Sequence, residues 1–93
     1  SYATKLREEI KKNKQYPIIS KKLKEEGNVI ISFRVLNSGL FTNIKVNHSS
    51  NKIRLDKAAL NALYDTKQYE VFNKELSNKE FLDFELALEF KLY

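Results

Sequence analysis

The sequence contains no cysteine, which excludes disulfide bonds, thiol catalysis and cysteine-ligated zinc. Glycine and proline are scarce, with two and one residues respectively, and this scarcity argues against a disordered linker. The two glycines, Gly27 and Gly39, are too far apart to form a glycine-rich phosphate loop. No apolar run approaches the roughly 18 residues that a transmembrane helix needs. We therefore expect a domain without thiol chemistry, a nucleotide loop or a membrane span.

The composition instead favours one small folded domain. The chain has 93 residues, 42% of them hydrophobic, including six phenylalanines and five tyrosines. A chain of this size buries roughly 60–65% of its unfolded surface, which allows one modest core but no separate active-site domain. We therefore expect residues 1–93 to form a single domain.

The net charge of +5 is distributed unevenly. Residues 1–26 carry +4, residues 27–65 carry +3 and residues 66–93 carry −2. A basic domain can bind nucleic acid or an anionic membrane. Here the basic residues crowd onto the first predicted helix, where a solvated helix face is the simpler interpretation. The acidic last segment also disfavours a nucleic-acid surface, which would interleave aromatic and basic side chains.

The first predicted element is an amphipathic helix over residues 2–13. Apolar residues recur at i, i+4 and i+8, namely Tyr2, Leu6 and Ile10. Lysine, arginine and glutamate fill the other face. We therefore expect a narrow apolar stripe that packs against the rest of the domain.

A short second helix is predicted after Pro17, which forces the residue before it into an extended conformation. This helix is expected over residues 18–25, with Ile19 and Leu23 one turn apart on one face. Gly27 is expected to end it by adopting a left-handed conformation.

Three segments have the alternating pattern of β-strands. Residues 28–36 place four apolar side chains on one face, Val29, Ile31, Phe33 and Val35. Gly39 allows the positive φ of a hairpin turn. Residues 41–48 are predicted to form the return strand, with Ile44, Val46 and His48 on one face. Residues 81–93 alternate most regularly and predict a long third strand.

A third helix is predicted over residues 55–63, where alanines would allow it to lie close to a sheet. Asp56 lies in its first turn, where the helix dipole favours an acid. Ser49 and Ser50 are expected to cap the turn that leads into it. Residues 66–80 are polar and aperiodic; the side chains expected to pack there are Tyr69, Val71, Phe72 and Leu76.

The element order predicts an α+β fold with a three-stranded antiparallel or mixed sheet. The hairpin makes the first two strands antiparallel, and a helical crossover normally returns the chain parallel to the strand it left. The third strand then fits beside the first, which gives the order 2-1-3 with helices packed on one face. The third strand is therefore expected to be an edge and to extend beyond its neighbours.

No catalytic or metal site is predicted. His48 is the only histidine, and its sequence neighbours Ser49 and Ser50 do not supply a triad geometry. Paired glutamates such as Glu8-Glu9 lie among lysines and are best interpreted as exposed ion pairs. The remaining candidate is the edge strand, whose free N–H and C=O groups can recruit a peptide unless its own charges protect it.

The segment from Tyr16 to Leu63 resembles the C-terminal domain of the TonB family. The shared features are Tyr16-Pro17, a helix ending at Glu26-Gly27, the strand residues Val29, Ile31, Phe33 and Val35, the hairpin Gly39, the pattern Ile44, Val46, Ser49 and Ser50, and the run Leu55, Asp56, Ala58, Ala59 and Ala62. The sequence departs from the family at Asn51, where the family often has glycine, and between Tyr64 and Glu80, which lack tryptophan and proline. Asparagine also tolerates a left-handed backbone.

The resemblance implies an energy-transducing adaptor rather than an enzyme. Such a domain would lie in the periplasm as part of a longer protein, anchored in the inner membrane through an N-terminal segment outside this chain. It would bind the TonB box of outer-membrane receptors. Energy from the inner-membrane proton gradient, received through ExbB and ExbD, would then drive uptake of nutrients such as iron chelates.

The resemblance also implies two receptor-binding segments. The first comprises Asn13, Lys14, Gln15, Tyr16 and Pro17. The second is the last strand, which would pair with the TonB box; its expected partner-binding residues are Phe81, Asp83, Glu85, Ala87, Glu89 and Lys91. No cofactor, metal or catalytic residue is expected.

Two other functions remain open from the sequence. A TolA-like C-terminal adaptor would share the fold and serve the Tol system, although Tyr16-Pro17 and the Leu55–Ala62 run favour TonB. A small basic nucleic-acid-binding domain would be recognised by a steep loss of affinity with salt.

Overall fold

A computed structural model describes residues 1–66, 69–70, 72 and 76–93. Its elements follow the chain as α1 (Tyr2–Lys12), α2 (Ile18–Lys22), β1 (Gly27–Leu36), β2 (Phe41–His48), α3 (Ile53–Tyr64) and β3 (Phe81–Phe90). The strands form one sheet in the order β2-β1-β3, and both neighbouring pairs are antiparallel. The predicted α+β class and strand order are confirmed, with the sheet antiparallel throughout. Within the described ranges, no helix is long and apolar enough to cross a membrane.

The core lies between one face of the sheet and the apolar stripes of α1 and α3. The predicted stripe of α1 is buried at Tyr2, Leu6 and Ile10. The predicted apolar face of β1 is buried along its whole length, and β3 alternates between exposed and buried residues from Leu82 to Phe90. The alternation in the sequence therefore identified the buried faces of β1 and β3 correctly.

The aromatic centre of this core is Phe33, which is only 2% exposed. Its ring centroid lies 5.4 Å from that of Phe84 on β3 and 5.2 Å from that of Phe41 on β2. One side chain of the central strand thus packs against both neighbouring strands.

The second helix differs from its prediction in length and in orientation. It ends at Lys22 because Lys24 adopts a left-handed conformation with φ 55°. The Glu25 N–H then donates to the Ser20 carbonyl at 2.8 Å, which closes the helix end. Gly27 is not the terminator; a Cβ there would lie 2.9 Å from the Ser50 Cβ, so glycine is needed for close packing.

The face of α2 that turns inward is polar. Ser20 is fully buried and its Oγ donates to the Glu25 carboxylate at 2.7 Å. Ile19 and Leu23, which the i, i+4 spacing suggested as one packing face, are instead 55% and 59% exposed. A five-residue helix has too few positions for its periodicity to identify the buried side.

Strand β2 contains irregularities that the alternation could not reveal. Asn43 has φ 54°, and the pairing register with β1 shifts between Ser32 and Arg34. A second shift places His48 opposite Ile30, so that His48 is exposed rather than on the face shared by Ile44 and Val46. Each bulge adds one residue and reverses the face of those that follow.

Strand β3 is shorter than predicted. It ends at Phe90, opposite Gly27, and pairs residue by residue with all ten positions of β1. The Glu26 carboxylate accepts the Leu92 N–H at 2.6 Å in place of a backbone partner, because the chain before Gly27 has already turned toward α2. Lys91 therefore lies beyond the strand, and β3 does not extend past β1.

The hairpin between β1 and β2 holds the segment after α3. Gly39 has φ 89°, and a Cβ there would clash with the Tyr69 carbonyl. The Tyr69 N–H donates to the Gly39 carbonyl at 3.0 Å, and the Phe72 ring lies 5.3 Å from that of Tyr2. The predicted packing of Tyr69, Phe72 and Leu76 is observed, since all three are partly or fully buried, whereas Val71 lies outside the described residues.

The loop into α3 is organised by Asp56. The Ser50 N–H and Oγ donate to its carboxylate at 2.9 and 2.7 Å, and the Ser49 Oγ donates to its other oxygen. The serines therefore bind an acid in the first turn, and neither occupies the N-cap position, which belongs to Lys52. Burial raises the pKa of Asp56, but the hydrogen bonds from Ser49 and Ser50 outweigh it, so the pKa lies below its ordinary value. Asn51 has φ 65°, as its residue type allows.

We predict that Phe33→Ala lowers the free energy of unfolding by about 3–5 kcal/mol, because a buried ring leaves a cavity between three strands. Urea unfolding measures this loss. Ser32→Ala, on the other face of the same strand, is the control and should change stability by less than about 1 kcal/mol. Similar stabilities of the two variants would contradict the assigned core face.

We predict that Asp56→Asn lowers stability at neutral pH by about 1–2 kcal/mol, because the charged acceptor of three hydrogen bonds is lost. A folded-state pKa below the unfolded value of about 3.9 means that Asp56 stabilises the fold above that pH. The contribution disappears as the pH falls through the folded-state pKa, so the wild type and the variant should converge there. Urea unfolding between pH 7 and about pH 2 tests this, and a constant difference would refute it.

Candidate partner-binding site

Both outer strands of the sheet, β2 and β3, are edge strands in the order β2-β1-β3, and β3 is the candidate site. Within the described part of the chain, β3 pairs only with β1. An edge strand presents unpaired N–H and C=O groups that another chain can use. Successive residues of β3 point their N–H and C=O groups alternately toward β1 and away from it. The free groups therefore belong to either the odd-numbered or the even-numbered residues.

Two hydrogen bonds at the hairpin end show which of the two sets is free. The Asn37 N–H donates to the Glu80 carbonyl at 2.9 Å, toward β3, whereas the Leu36 N–H donates to the Leu40 carbonyl at 2.9 Å, toward β2. Residues of an antiparallel pair alternate between hydrogen-bonded and non-bonded positions. Odd-numbered residues of β1 therefore bond to even-numbered residues of β3, such as Val35 with Leu82.

The outward groups consequently belong to the odd-numbered residues of β3, which are Phe81, Asp83, Glu85, Ala87 and Glu89. All five side chains are exposed on the polar face of the sheet. They are also the strand residues that the family resemblance implied as partner-binding, apart from Lys91, which lies beyond the strand. A proline or side-chain change at these positions therefore probes the edge without entering the core.

Two acidic side chains on the polar face of β3 form hydrogen bonds with residues of β1 and β2. The Arg34 guanidinium donates to both Asp83 carboxylate oxygens, at 2.8 and 3.2 Å, and lies 3.7 Å from the Phe81 ring centroid. The hydrogen bond from Arg34 lowers the pKa of Asp83. Across the sheet, the Asn47 side-chain amide donates to the Glu85 carboxylate at 3.2 Å. These contacts direct the Asp83 and Glu85 carboxylates toward β1 and β2 rather than toward the outer edge.

The segment between α1 and α2 contacts the C-terminal end of β3. The Lys14 Nζ donates to the Glu89 carbonyl at 2.5 Å and lies 5.3 Å from the Phe90 ring centroid. The Tyr16 ring packs edge-on against Phe90 with centroids 5.4 Å apart, and its hydroxyl donates to the Glu25 carbonyl. The structure therefore brings the two predicted segments together at one place.

The other residues of this segment have different environments. Asn13 donates through its side-chain amide to Thr66 Oγ1 at 2.5 Å, so that amide already has a partner. Gln15 is exposed, and Pro17 is extended with φ −60° and ψ 136° at the start of α2. Of the polar side chains predicted to meet a partner, Gln15 is the accessible one and Lys14 is bound to the strand edge.

Sequence reasoning missed a groove on the other side of this segment. It has a volume of about 670 Å³ and lies between residues 13–19 and the exposed face of α3. Its α3 side carries Arg54 and Lys57, and its α2 side carries Ile18 and Ile19. The signal available in the sequence was the Ile-Ile pair directly after Pro17, of which the helical pattern placed only Ile19 on a face shared with Leu23.

The described residues contain no group of three acidic, histidine or cysteine side chains that could hold a metal ion. The arrangement offers backbone hydrogen bonds, an exposed polar face and an adjacent groove. Such a surface is suited to binding a polypeptide.

Comparison with known proteins gives a consistent result. Residues 12–92 match the family model described as Gram-negative bacterial TonB protein C-terminal. Over 63 residues the chain is 38% identical to the protein TonB of Pasteurella multocida and 40% identical to that of Haemophilus influenzae, in each case covering 68% of this chain. The aligned region spans only 25% and 23% of those relatives' lengths.

Solved structures show the same fold. A solution structure of the Helicobacter pylori TonB C-terminal domain superposes with a TM-score of 0.83 at 24% identity, covering 99% of this chain and 81% of that one. A second structure of the same domain gives 0.72 at 25% identity, covering 98% and 94%. The C-terminal domain of HasB gives 0.55 at 16% identity, over 99% and 70%.

The family match covers most of the chain, and the sheet order, the Tyr16-Pro17 segment and the close packing at Gly27 lie within it. It supports the TonB assignment over the TolA-like and nucleic-acid-binding alternatives. The chain belongs to the TonB C-terminal domain family, whose members are adaptors rather than enzymes.

Proposed function

We propose that this domain binds the TonB box of outer-membrane receptors by adding it as a fourth strand to the free edge of β3. Main-chain hydrogen bonds to the odd-numbered residues would supply most of the affinity, as in other cases of strand addition. The domain would work in the periplasm as the receptor-binding end of a longer energy-transducing adaptor. The proposal combines family membership with the geometry of the edge.

The wider role follows from the same family. The rest of the protein would anchor the adaptor in the inner membrane and couple it, through ExbB and ExbD, to the proton gradient. Force or movement transmitted to the receptor would drive uptake of nutrients such as iron chelates. Strand addition suits this task, because several parallel hydrogen bonds along an edge share a pulling load.

The observation that carries the proposal is the outward orientation of five consecutive odd-numbered residues. Their N–H and C=O groups extend from Phe81 to Glu89. Two of the three acids on this face, Asp83 and Glu85, are held on the sheet face by Arg34 and Asn47. Within the described residues, a partner strand could therefore pair along Phe81–Ala87 without displacing another strand.

The segment at residues 13–17 would define where the partner strand ends. Lys14 already occupies the Glu89 carbonyl, so a strand that pairs along Phe81–Ala87 meets the lysine at its last position. Tyr16 and Pro17 are fixed by Phe90 and by the start of α2. Lys14 and Gln15 would then contact the peptide, while Tyr16 and Pro17 hold the segment in place.

We predict that Ala87→Pro lowers affinity for a TonB-box peptide by about tenfold, because it removes an outward N–H and adds a ring at the edge. The probe is a synthetic peptide with the TonB box of a receptor from the same organism, titrated into labelled protein. Ala87→Ser, which keeps the N–H, is the matched control and should bind as the wild type does.

Leu88→Pro tests whether the even-numbered residues of β3 direct their N–H groups toward β1. It removes an N–H that the ladder directs to β1, so it should weaken folding rather than selectively weaken binding. Amide shifts on addition of peptide should be concentrated on residues 81–89. Shifts confined to α1, or unchanged affinity in folded Ala87→Pro, would contradict strand addition at this edge.

A further inference from the structure

The groove beside residues 13–17 has a regular wall on its α3 side. The residues of α3 that line it are Arg54, Lys57, Ala58 and Asn61, and Asp65 follows directly after the helix. Asn61 lies three or four residues from Lys57, Ala58 and Asp65, so these residues share one helical face. Ala58 leaves room in the middle of this wall. The opposite wall consists of Asn13, Gln15, Tyr16, Pro17, Ile18 and Ile19.

Apolar side chains are exposed along this groove. Ile18 is 71% exposed and Ile19 is 55% exposed, although both follow directly on the Tyr16-Pro17 segment. Ser20 occupies the buried position of α2, so these isoleucines contribute little to the core. An exposed apolar pair inside a concave surface is typical of a binding site for an apolar side chain.

The groove carries a small excess of positive charge. Among its lining residues Arg54 and Lys57 are cationic and Asp65 is the only acid. The Arg54 guanidinium lies 3.3 Å from the Glu25 carboxylate, but within the described residues Lys57 makes no ion pair. Exposed Lys21 and Lys22 follow on α2. A ligand with an acidic group next to an apolar one matches this surface.

The groove and the C-terminal end of β3 share the segment at residues 13–17. Lys14 and Tyr16 contact Glu89 and Phe90, while Tyr16 also lines the groove together with Gln15 and Pro17. A strand that runs along the edge and continues past Glu89 therefore meets this segment, which also forms one wall of the groove. An extended peptide advances about 3.3 Å per residue, so a flank of roughly four to six residues extends about 13–20 Å past the paired strand.

We infer that this groove binds the receptor segment that flanks the TonB box, in extended form, with an acidic side chain at Lys57 and an apolar side chain against Ile18. The inference rests on the proposed function, because the paired strand delivers the flank. The flank either precedes or follows the TonB box in the receptor sequence. The direction of the added strand, parallel or antiparallel to β3, decides which of the two lies beyond Glu89.

The test compares peptides that share one TonB box. The box alone is the reference; two further peptides carry Gly-Glu-Ile-Asp-Ile before or after it, and two controls carry Gly-Gln-Ile-Asn-Ile at the same ends. One acidic flank should bind about fivefold tighter than the box at low salt, with the gain reduced by added salt. Its additional amide shifts should fall on residues 15–19 and 54–61.

Two pairs of variants separate charge from apolar contact. Lys57→Glu should remove the gain from the acidic flank, whereas Lys45→Glu on the exposed part of β2 should keep it. Ile18→Ser should reduce the gain, whereas Ile53→Ser, which is 81% exposed in the wild type and does not line the groove, should not. All four positions are exposed, and urea unfolding confirms that each variant is folded.

The outcomes are distinct. Binding of the box with shifts on residues 81–89, but with no gain from either acidic flank, overturns the groove inference and leaves the edge proposal intact. Absence of any shift on residues 81–89 overturns the edge proposal and the groove inference together. Shifts at residues 54–61 that follow protein concentration rather than peptide would mean that a second copy of the chain occupies the groove, which also overturns the inference.

Discussion

The ladder between β1 and β3 is the constraint on which the rest of the structure depends. Its ten pairs keep one register without interruption, from Gly27 with Phe90 to Leu36 with Phe81. This register places Phe33 against Phe84 in the core and Arg34 against Asp83 on the outer face. It also decides which backbone groups of β3 are free. Because the side-chain period and the hydrogen-bonding period of a strand are both two, the residues that face solvent are the same ones that address the free edge.

The segment at residues 13–17 connects this edge to the helices. Its lysine and tyrosine contact the end of β3, whereas its proline starts α2 and its glutamine is exposed. Burial and the neighbouring acids Glu26 and Glu25 raise the pKa of Tyr16, and its hydroxyl donates a hydrogen bond to the Glu25 carbonyl. A short extended segment thus fixes the strand end, the second helix and one wall of the groove.

Much of the fold was predictable because long periodic segments carry strong signals. The alternation of β1 and β3 and the stripe of α1 identified their buried faces, and the crossover identified the strand order. The short elements were less predictable. The end of α2 depends on a left-handed lysine, Lys24, and its inward face on one serine, neither of which stands out in sequence. The bulge at Asn43 and the end of β3 at Phe90 depend on pairing partners that lie far away in sequence. The strand residues of the candidate site were predicted from alternation and family resemblance, but the groove requires knowing that Ile18 and Ile19 face α3.

Backbone hydrogen exchange along β3, measured residue by residue with and without a TonB-box peptide, tests the central claim most directly. In the free protein the amides of Phe84, Leu86 and Leu88 should be protected by β1, whereas those of Asp83, Glu85 and Ala87 should exchange rapidly. Addition of peptide should protect Asp83, Glu85 and Ala87 and leave the alternate residues little changed. Rapid exchange at these three amides in the saturated complex, or their protection in the free protein, would contradict the account.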